Sequence, residues 1–260
     1  MSSIFYTDTG KGLPVVFLHG YCETSNVWNE LRPQLSKKFR IITIDLPGFG
    51  ESPPLKYEFS LEDVAKDIKD FLKSIGLKKY VLIGHSMGGY AALSFAKLYE
   101  DLLLGLGLFH SNVFEDDKEK KDNRTKLMDF IRENGVKSFI KTFIPSLFYK
   151  ENINALKDTI LNLKKSADQT HAESIIQYAR AMRDRKGSEK FLEHFSKPVM
   201  FIIGEEDISV PLHKSLEQIS IPRNVHVLRL TGTGHMGMFE KPIESIRFIE
   251  GFLNFCRQNH

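Results

Sequence analysis

Tyr80-Val81-Leu82-Ile83-Gly84-His85-Ser86-Met87-Gly88-Gly89 is the stretch on which the reading of the fold turns. Residues 80–83 form a short, unbroken apolar run, as in a strand covered on both faces. Two glycines then flank a serine at the G-x-S-x-G spacing, and beyond them Ala91, Ala92, Phe95 and Leu98 recur at helical spacing. A strand, a sharp turn and a helix, with serine at the turn, is the context in which this pentapeptide reads as a nucleophile elbow. The chemistry explains the residue types. Such a turn strains the serine backbone, and a Cβ at Gly84 or Gly88 would strike the adjoining strand or helix. The hydroxyl then projects above the sheet. The Met87 N–H opens into the same space at a helix N-terminus, where negative charge is favoured. A glycine-rich turn that merely contains serine has the same letters, so the rest of the chain has to supply a base and an acid.

Size and composition set the frame. With 260 residues, 42% hydrophobic and 27% charged, the chain suits one large α/β domain or a core carrying an inserted lobe. A net charge of +3, with Lys and Arg spread among acids, argues against nucleic acid as a partner. The charge runs near 115–126 and 183–190 read as solvated faces. Cys22 and Cys256, at opposite ends of the chain, make no disulfide framework, and no C-x-x-C or H-E-x-x-H spacing points to a metal. Residues 1–8 lack the basic start and apolar stretch of a signal peptide, and the longest apolar stretch, 102–109, is too short to span a bilayer. The expectation is a cytoplasmic, reduced protein with a small-molecule substrate, no cofactor and no membrane partner; oligomeric state stays open.

Along the chain, strand patterns at 4–7, 14–18, 40–44, 80–83 and 102–109 alternate with helical ones. After His19-Gly20-Tyr21-Cys22 and a polar stretch, one helix runs through Trp28, Leu31 and Leu35. Another spans 60–76, with a capping-box start at Ser60 and Asp63. From Ser111 the pattern turns purely helical, broken by Gly135 and Pro145, until strands return at 199–203 and 225–230 and a last helix follows Pro242. This order implies an α/β fold: a mostly parallel sheet with helices on both faces, residues 1–111 and 197–260, and an inserted helical cap, residues 112–196. In open sheets of this class, ligands bind beyond the carboxyl ends of the strands. His19-Gly20, Asp45, Ser86, Asp207 and His235 all follow such ends.

Serine needs a base within hydrogen-bond reach and an acid to orient that base. Of nine histidines, His235 fits best, in a glycine-containing loop after the last strand. His213 begins a helix, His226 lies inside a strand, His260 is terminal, and His110, His171 and His194 lie at or within the cap. Asp207 is the preferred acid, with Glu205 and Glu206 as neighbours that compete for the role. The Tyr21 N–H, after His19-Gly20, joins that of Met87 as the second oxyanion donor. Asp45 reads as a structural turn residue. Phe114, Phe130, Phe139, Phe143, Phe148 and Tyr149 supply aromatic surface for a cavity or for the cap's own core.

Taken together, His19-Gly20, the loop Asp45-Leu46-Pro47-Gly48-Phe49-Gly50-Glu51-Ser52, the elbow, Gly204 to Asp207, and Gly234-His235 with Glu240 and Pro242 after it give a whole-length resemblance to the α/β-hydrolase superfamily, in its subgroup of capped esterases and related hydrolases. The resemblance implies a triad of Ser86, Asp207 and His235, oxyanion donors at Tyr21 and Met87, and hydrolysis of a small, largely apolar ester. Serine at the elbow departs from dehalogenases and epoxide hydrolases, which carry aspartate there. Tyr90 departs from the basic residue of the menaquinone-pathway synthase branch, and prolyl peptidases of this fold show a tryptophan-containing elbow. Two alternatives remain. A carbon–carbon bond hydrolase of a diketone-like acid would need a cap arginine, such as Arg180 or Arg183, facing Ser86. A small-molecule receptor would keep the scaffold without turnover.

Overall fold

The computed structural model describes residues 4–55 and 57–259; the readings of the first three residues and of His260 lie outside the described residues. The chain runs β1 (Tyr6–Thr9), β2 (Pro14–Leu18), α1 (Arg32–Leu35), β3 (Arg40–Ile44), α2 (Leu61–Ser74), β4 (Tyr80–His85), α3 (Met87–Tyr99) and β5 (Leu103–Phe109). It leaves the sheet for α4 (Lys118–Ser146), α5 (Lys157–Ala167), α6 (Ala172–Asp184) and α7 (Glu189–Leu192). It returns through β6 (Val199–Gly204), α8 (Leu212–Gln218), β7 (Val225–Leu230), α9 (Gly237–Glu240) and α10 (Pro242–Gln258).

The seven strands lie in the order β1-β3-β2-β4-β5-β6-β7, parallel except for β1, which pairs antiparallel with β3. The continuous apolar runs of β2, β4, β5 and β6 are buried along nearly their whole length, as strands with helices on both faces should be. The glycines that interrupt β5 have a packing reason. A Cβ at Gly105 would lie 2.7 Å from Cys256 Sγ of α10, so the missing side chain lets that helix seat closely. Both cysteines are buried and free.

Local signals hold where the chain itself supplies the partner. Ser60 caps α2 by accepting from the Asp63 N–H, and Asp63 reciprocates to the Ser60 N–H. Three boundaries differ from the sequence reading. The edge strand is Tyr6–Thr9, fixed by its antiparallel partner β3 and not by its own pattern. The helix through Trp28 and Leu35 is a 3-10 turn (Ser25–Trp28) followed by the single turn of α1, because Pro33 has no N–H to carry a continuous ladder. The charged run 115–126 is not merely a solvated face: α4 begins inside it, and Asp116 is buried. The second run departs in the same way, for Arg185 is buried against that Asp116, 2.8 Å from Nη1 to Oδ1. α4 bends at Gly135, whose φ of 77° lies outside helical space. No helix among the described residues is long and apolar enough to cross a membrane.

Candidate active site

The carboxyl ends of β2 to β7 converge on one rim, and the residues following them build the site. Ser86, between β4 and α3, sits at φ 49° and ψ −115°, a conformation costing a non-glycine residue about 1–3 kcal/mol. Surrounding structure imposes it. The Ser86 N–H donates to Phe109 O (2.9 Å), and its carbonyl accepts from Ser111 Oγ (2.8 Å) and from the Gly89 N–H (2.9 Å). A Cβ on Gly84 would lie 2.2 Å from the Gly88 carbonyl oxygen, and one on Gly88 2.5 Å from the Leu18 and His19 carbonyl oxygens. No larger residue fits this elbow. Ser86 is the one residue of the 80–89 stretch that is not buried.

His235 follows β7 and is held on three sides. Its N–H donates to Leu147 O at the end of α4 (2.7 Å), its carbonyl accepts from His85 Nε2 (2.9 Å), and its Nδ1 meets Asp207 Oδ2 at 2.7 Å. Asp207 is buried, and its second oxygen accepts from the N–H groups of Ser209 and Val210. Burial would raise its pKa. The charge on His235 and hydrogen bonds from His110 and His235 pull it well below the usual carboxylate range instead. Glu205 turns away to pair with Arg229, and Glu206 is exposed. Ser86 and His235 line one cavity of about 250 Å³. Among the described residues no hydrogen bond joins Ser86 Oγ to His235 Nε2, a looseness common in ligand-free sites.

Tyr21 lines the same cavity as Ser86, and Met87 follows Ser86 as the first residue of α3. The Met87 N–H belongs to the first turn of α3 and has no intrahelical acceptor. The Tyr21 N–H has no protein acceptor among the described residues. The Tyr21 hydroxyl donates to Ile175 O of α6 (2.8 Å), and burial pushes its pKa well up. His19 fixes the loop: Nδ1 donates to Gly20 O (2.8 Å) and Nε2 accepts from the Leu46 N–H (2.9 Å). Asp45 is a turn fastener, accepting from the Ser25 N–H (2.7 Å) and the Glu51 N–H (2.9 Å).

Two buried histidines were missed in the sequence. His85 faces Glu23 Oε2 with Nδ1 (3.0 Å) and the His235 carbonyl with Nε2, so both ring nitrogens meet acceptors. Burial lowers its pKa, but the Glu23 charge and hydrogen bond and the His235 carbonyl more than offset this, and the net shift is upward. Glu23, which burial would raise, is lowered by His85 and by the Gly20 N–H (2.7 Å). The Glu23–His85 pair thus lies beneath the His235 loop. His110, directly after β5, packs Nδ1 3.3 Å from Asp207 Oδ2 and accepts from the Gly237 N–H at Nε2 (3.2 Å). Burial brings its pKa down to about 4 against the pull of Asp207, so it is neutral. Its position at a strand end was the available signal. His110, Asp207 and His235 offer ligand atoms within 4.8 Å of one another, close enough for a cation, but those atoms already bind one another or backbone N–H groups.

The cavity's other walls come from α4, α6 and the Asp207 loop: Lys120, Asn123, Arg124, Leu127, Phe143, Leu147, Met182, Ser209 and Val210. Phe143 alone of the six proposed aromatics lines it. Phe139 stacks on Phe143, Phe148 packs near Phe239, and Phe130 is exposed. Neither Arg180 nor Arg183 reaches the cavity; they pair with Glu58 and Asp184.

A family model described as the alpha/beta hydrolase fold matches residues 14–242. The chain belongs to that family. It is 29% identical to a thermophilic esterase from Thermogutta terrifontis, solved with malate bound, at a TM-score of 0.93 and covering 98% of this chain and 94% of that one. It is 23% identical over 258 residues to the 2-hydroxy-6-oxo-6-(2'-aminophenyl)hexa-2,4-dienoic acid hydrolase of Metapseudomonas resinovorans, 96% of this chain and 87% of the relative. It is 25% identical over 268 residues to the pimeloyl-[acyl-carrier protein] methyl ester esterase of Wigglesworthia glossinidia brevipalpis, 97% and 98% of the two chains.

Proposed function

We propose that the chain is a serine hydrolase of small esters, with residues 112–196 as the cap over its site. The observation that carries this reading is the strained Ser86 opening into the same cavity as an imidazole whose Nδ1 is held by buried Asp207. His235 Nε2 takes the Ser86 proton as Oγ bonds to the acyl carbon, and the Tyr21 and Met87 N–H groups receive the charge on the carbonyl oxygen. Collapse breaks the ester C–O bond, and the histidine returns its proton to the departing alcohol. Water, deprotonated by the same histidine, then releases the acid and restores Ser86. Asp207 keeps the imidazole in the required tautomer and stabilises its charged form. Leu127, Phe143, Leu147, Met182 and Val210 offer an apolar lining for the acyl chain.

Turnover of p-nitrophenyl butyrate by Ser86→Ala tests the reading. A fall to background is expected; wild-type activity in the variant would sink it. Arg124 on the cavity wall supports a second reading, hydrolysis of a carbon–carbon bond in a diketone-like acid, which an assay with a ring-cleavage product separates. Fluorophosphonate labelling of Ser86 without ester turnover would favour a receptor.

A further inference from the structure

The cavity above Ser86 is not uniformly apolar. Lys120, Asn123, Arg124 and Leu127 stand three, four and seven residues apart on α4, so one helical face is turned to it, and three of those four residues are polar. Arg124 uses only its Nε on Asp116; among the described residues its two terminal nitrogens have no protein partner. Asp116 in turn serves two guanidinium groups, since Arg185 also binds it. Arg185 is engaged elsewhere: it donates to Met182 O (2.7 Å) and Phe114 O (2.8 Å) and stacks on the Tyr90 ring at 3.9 Å. One carboxylate between two guanidiniums leaves a positive charge unmatched, and Lys120 adds another, its ammonium bonded among the described residues only to Ser209 O, at 3.4 Å. The one acid among the described cavity-lining residues, Glu23, is committed to His85 and the Gly20 N–H. The α4 wall therefore carries positive charge with no free acid among the described lining residues, beside Ser86 and facing the apolar side chains of Phe143, Leu147, Met182 and Val210.

We propose that Lys120, Asn123 and Arg124 form a carboxylate subsite, and that the substrate is a short ester bearing a free carboxylate at the end remote from the bond cleaved. A planar guanidinium with both terminal nitrogens open suits a carboxylate, Lys120 supplies a second charge, and Asn123 a neutral donor. Burying an arginine edge against apolar groups is costly unless an anion meets it, which gives the subsite discrimination against neutral esters. The assignment rests on the ester-hydrolase reading for its catalytic consequence but not for binding.

The test compares two acid-bearing aryl esters with neutral isosteres of equal length. One is p-nitrophenyl hydrogen glutarate, with the carboxylate on the acyl side. The other is 4-carboxyphenyl butyrate, with it on the leaving group. One of the acid esters should exceed its neutral partner by roughly tenfold or more in kcat/KM, mainly through KM, and the preference should shrink with added salt. Arg124→Met and Lys120→Met should each cut that ratio several-fold, their combination should bring it to about one, and Arg124→Lys should keep part of it. Lys120→Met leaves the Asp116 pair intact, so folding of that variant is not at stake. Calorimetry with glutarate reads the subsite without turnover. Glutarate binding that weakens in the Lys120→Met variant, with neither ester hydrolysed, would keep the subsite and overturn the esterase reading. Hydrolysis of the esters with no acid preference, or a preference intact in the double variant, would overturn the subsite and leave the esterase reading standing.

Discussion

At the level of single residues, the proposed chemistry depends on fixed protonation states. Asp207 is buried, accepts backbone N–H groups on one oxygen and His235 on the other, and stays ionised. Asp207→Asn keeps the shape but presents an amide where the imidazole needs an acceptor, so His235 adopts the wrong tautomer. A fall of roughly 10⁴ in kcat is expected, read by ester turnover at pH 7, with a lower urea midpoint as well, since a carboxylate held below its ordinary pKa contributes stability at pH 7. His110 makes a different contribution. In the unfolded chain it takes a proton near pH 6.5; in the folded chain it stays neutral down to about 4. A depressed histidine pKa leaves stability untouched above pH 6.5 and withdraws it as pH falls toward 4, by up to about 3 kcal/mol. His85, with its pKa raised, works in the opposite sense. Its contribution is complete below pH 6.5 and is lost as pH rises through the folded value. Urea unfolding of His110→Asn at pH 7 and pH 5 should show a smaller acid loss than the wild type; equal losses would mean His110 is protonated in the folded state.

At the level of elements, the loop that carries His235 is held by Glu240. One carboxylate oxygen accepts from the N–H groups of Gly234 (3.0 Å) and Met236 (3.2 Å). The other accepts from the Tyr149 N–H (2.9 Å) and from Asn152 Nδ2 (2.7 Å), just beyond α4. A single side chain thus couples the loop after β7 to the segment between α4 and α5. Glu240→Ala strands four donors, and bonds to a charged group are worth about 1.5–3 kcal/mol each. The expected result is a kcat lower by roughly ten- to a hundredfold with KM nearly unchanged, and faster amide exchange at residues 232–236. Unchanged exchange there would show the loop is held by Leu147 and His85 alone. The same elements show where sequence patterns were sufficient. α2 carries its own cap, and the elbow carries its own glycines. By contrast, α4 begins in a run of charges whose inward face is set by where the helix lands, and periodicity of polar residues does not reveal that a charged face is turned inward.

At the level of the whole molecule, one buried charge cluster fastens the helices between β5 and β6 to the sheet. Asp116 stands where the chain leaves β5, Arg185 where it comes off α6, and Tyr90 on the helix after the elbow. Nearby, buried Gln218 of α8 accepts from the Val113 N–H (3.0 Å) and donates to Ser111 O (2.9 Å), fixing the exit from the sheet. Arg185→Met removes one partner of a buried pair and should cost about 3–5 kcal/mol in urea unfolding. A loss below 1 kcal/mol would show that Arg124 alone satisfies Asp116.

The amino-acid sequence alone determined whatever rests on neighbours in the chain. The elbow at Ser86, the strand ends carrying Asp207 and His235, the order of strands and helices, and the Asp45 turn all depend on local spacing, which a linear pattern preserves. Tertiary structure alone decided which charges face inward. His85 and Glu23, 62 residues apart, meet beneath His235; His110 reaches Asp207; Arg124 reaches the cavity while Arg180 and Arg183 turn from it. A charged side chain looks the same in sequence whether it faces water or a buried partner. Only packing chooses between them, because desolvating an ion is tolerated where an opposite charge or a hydrogen-bond acceptor is brought to it from elsewhere in the chain.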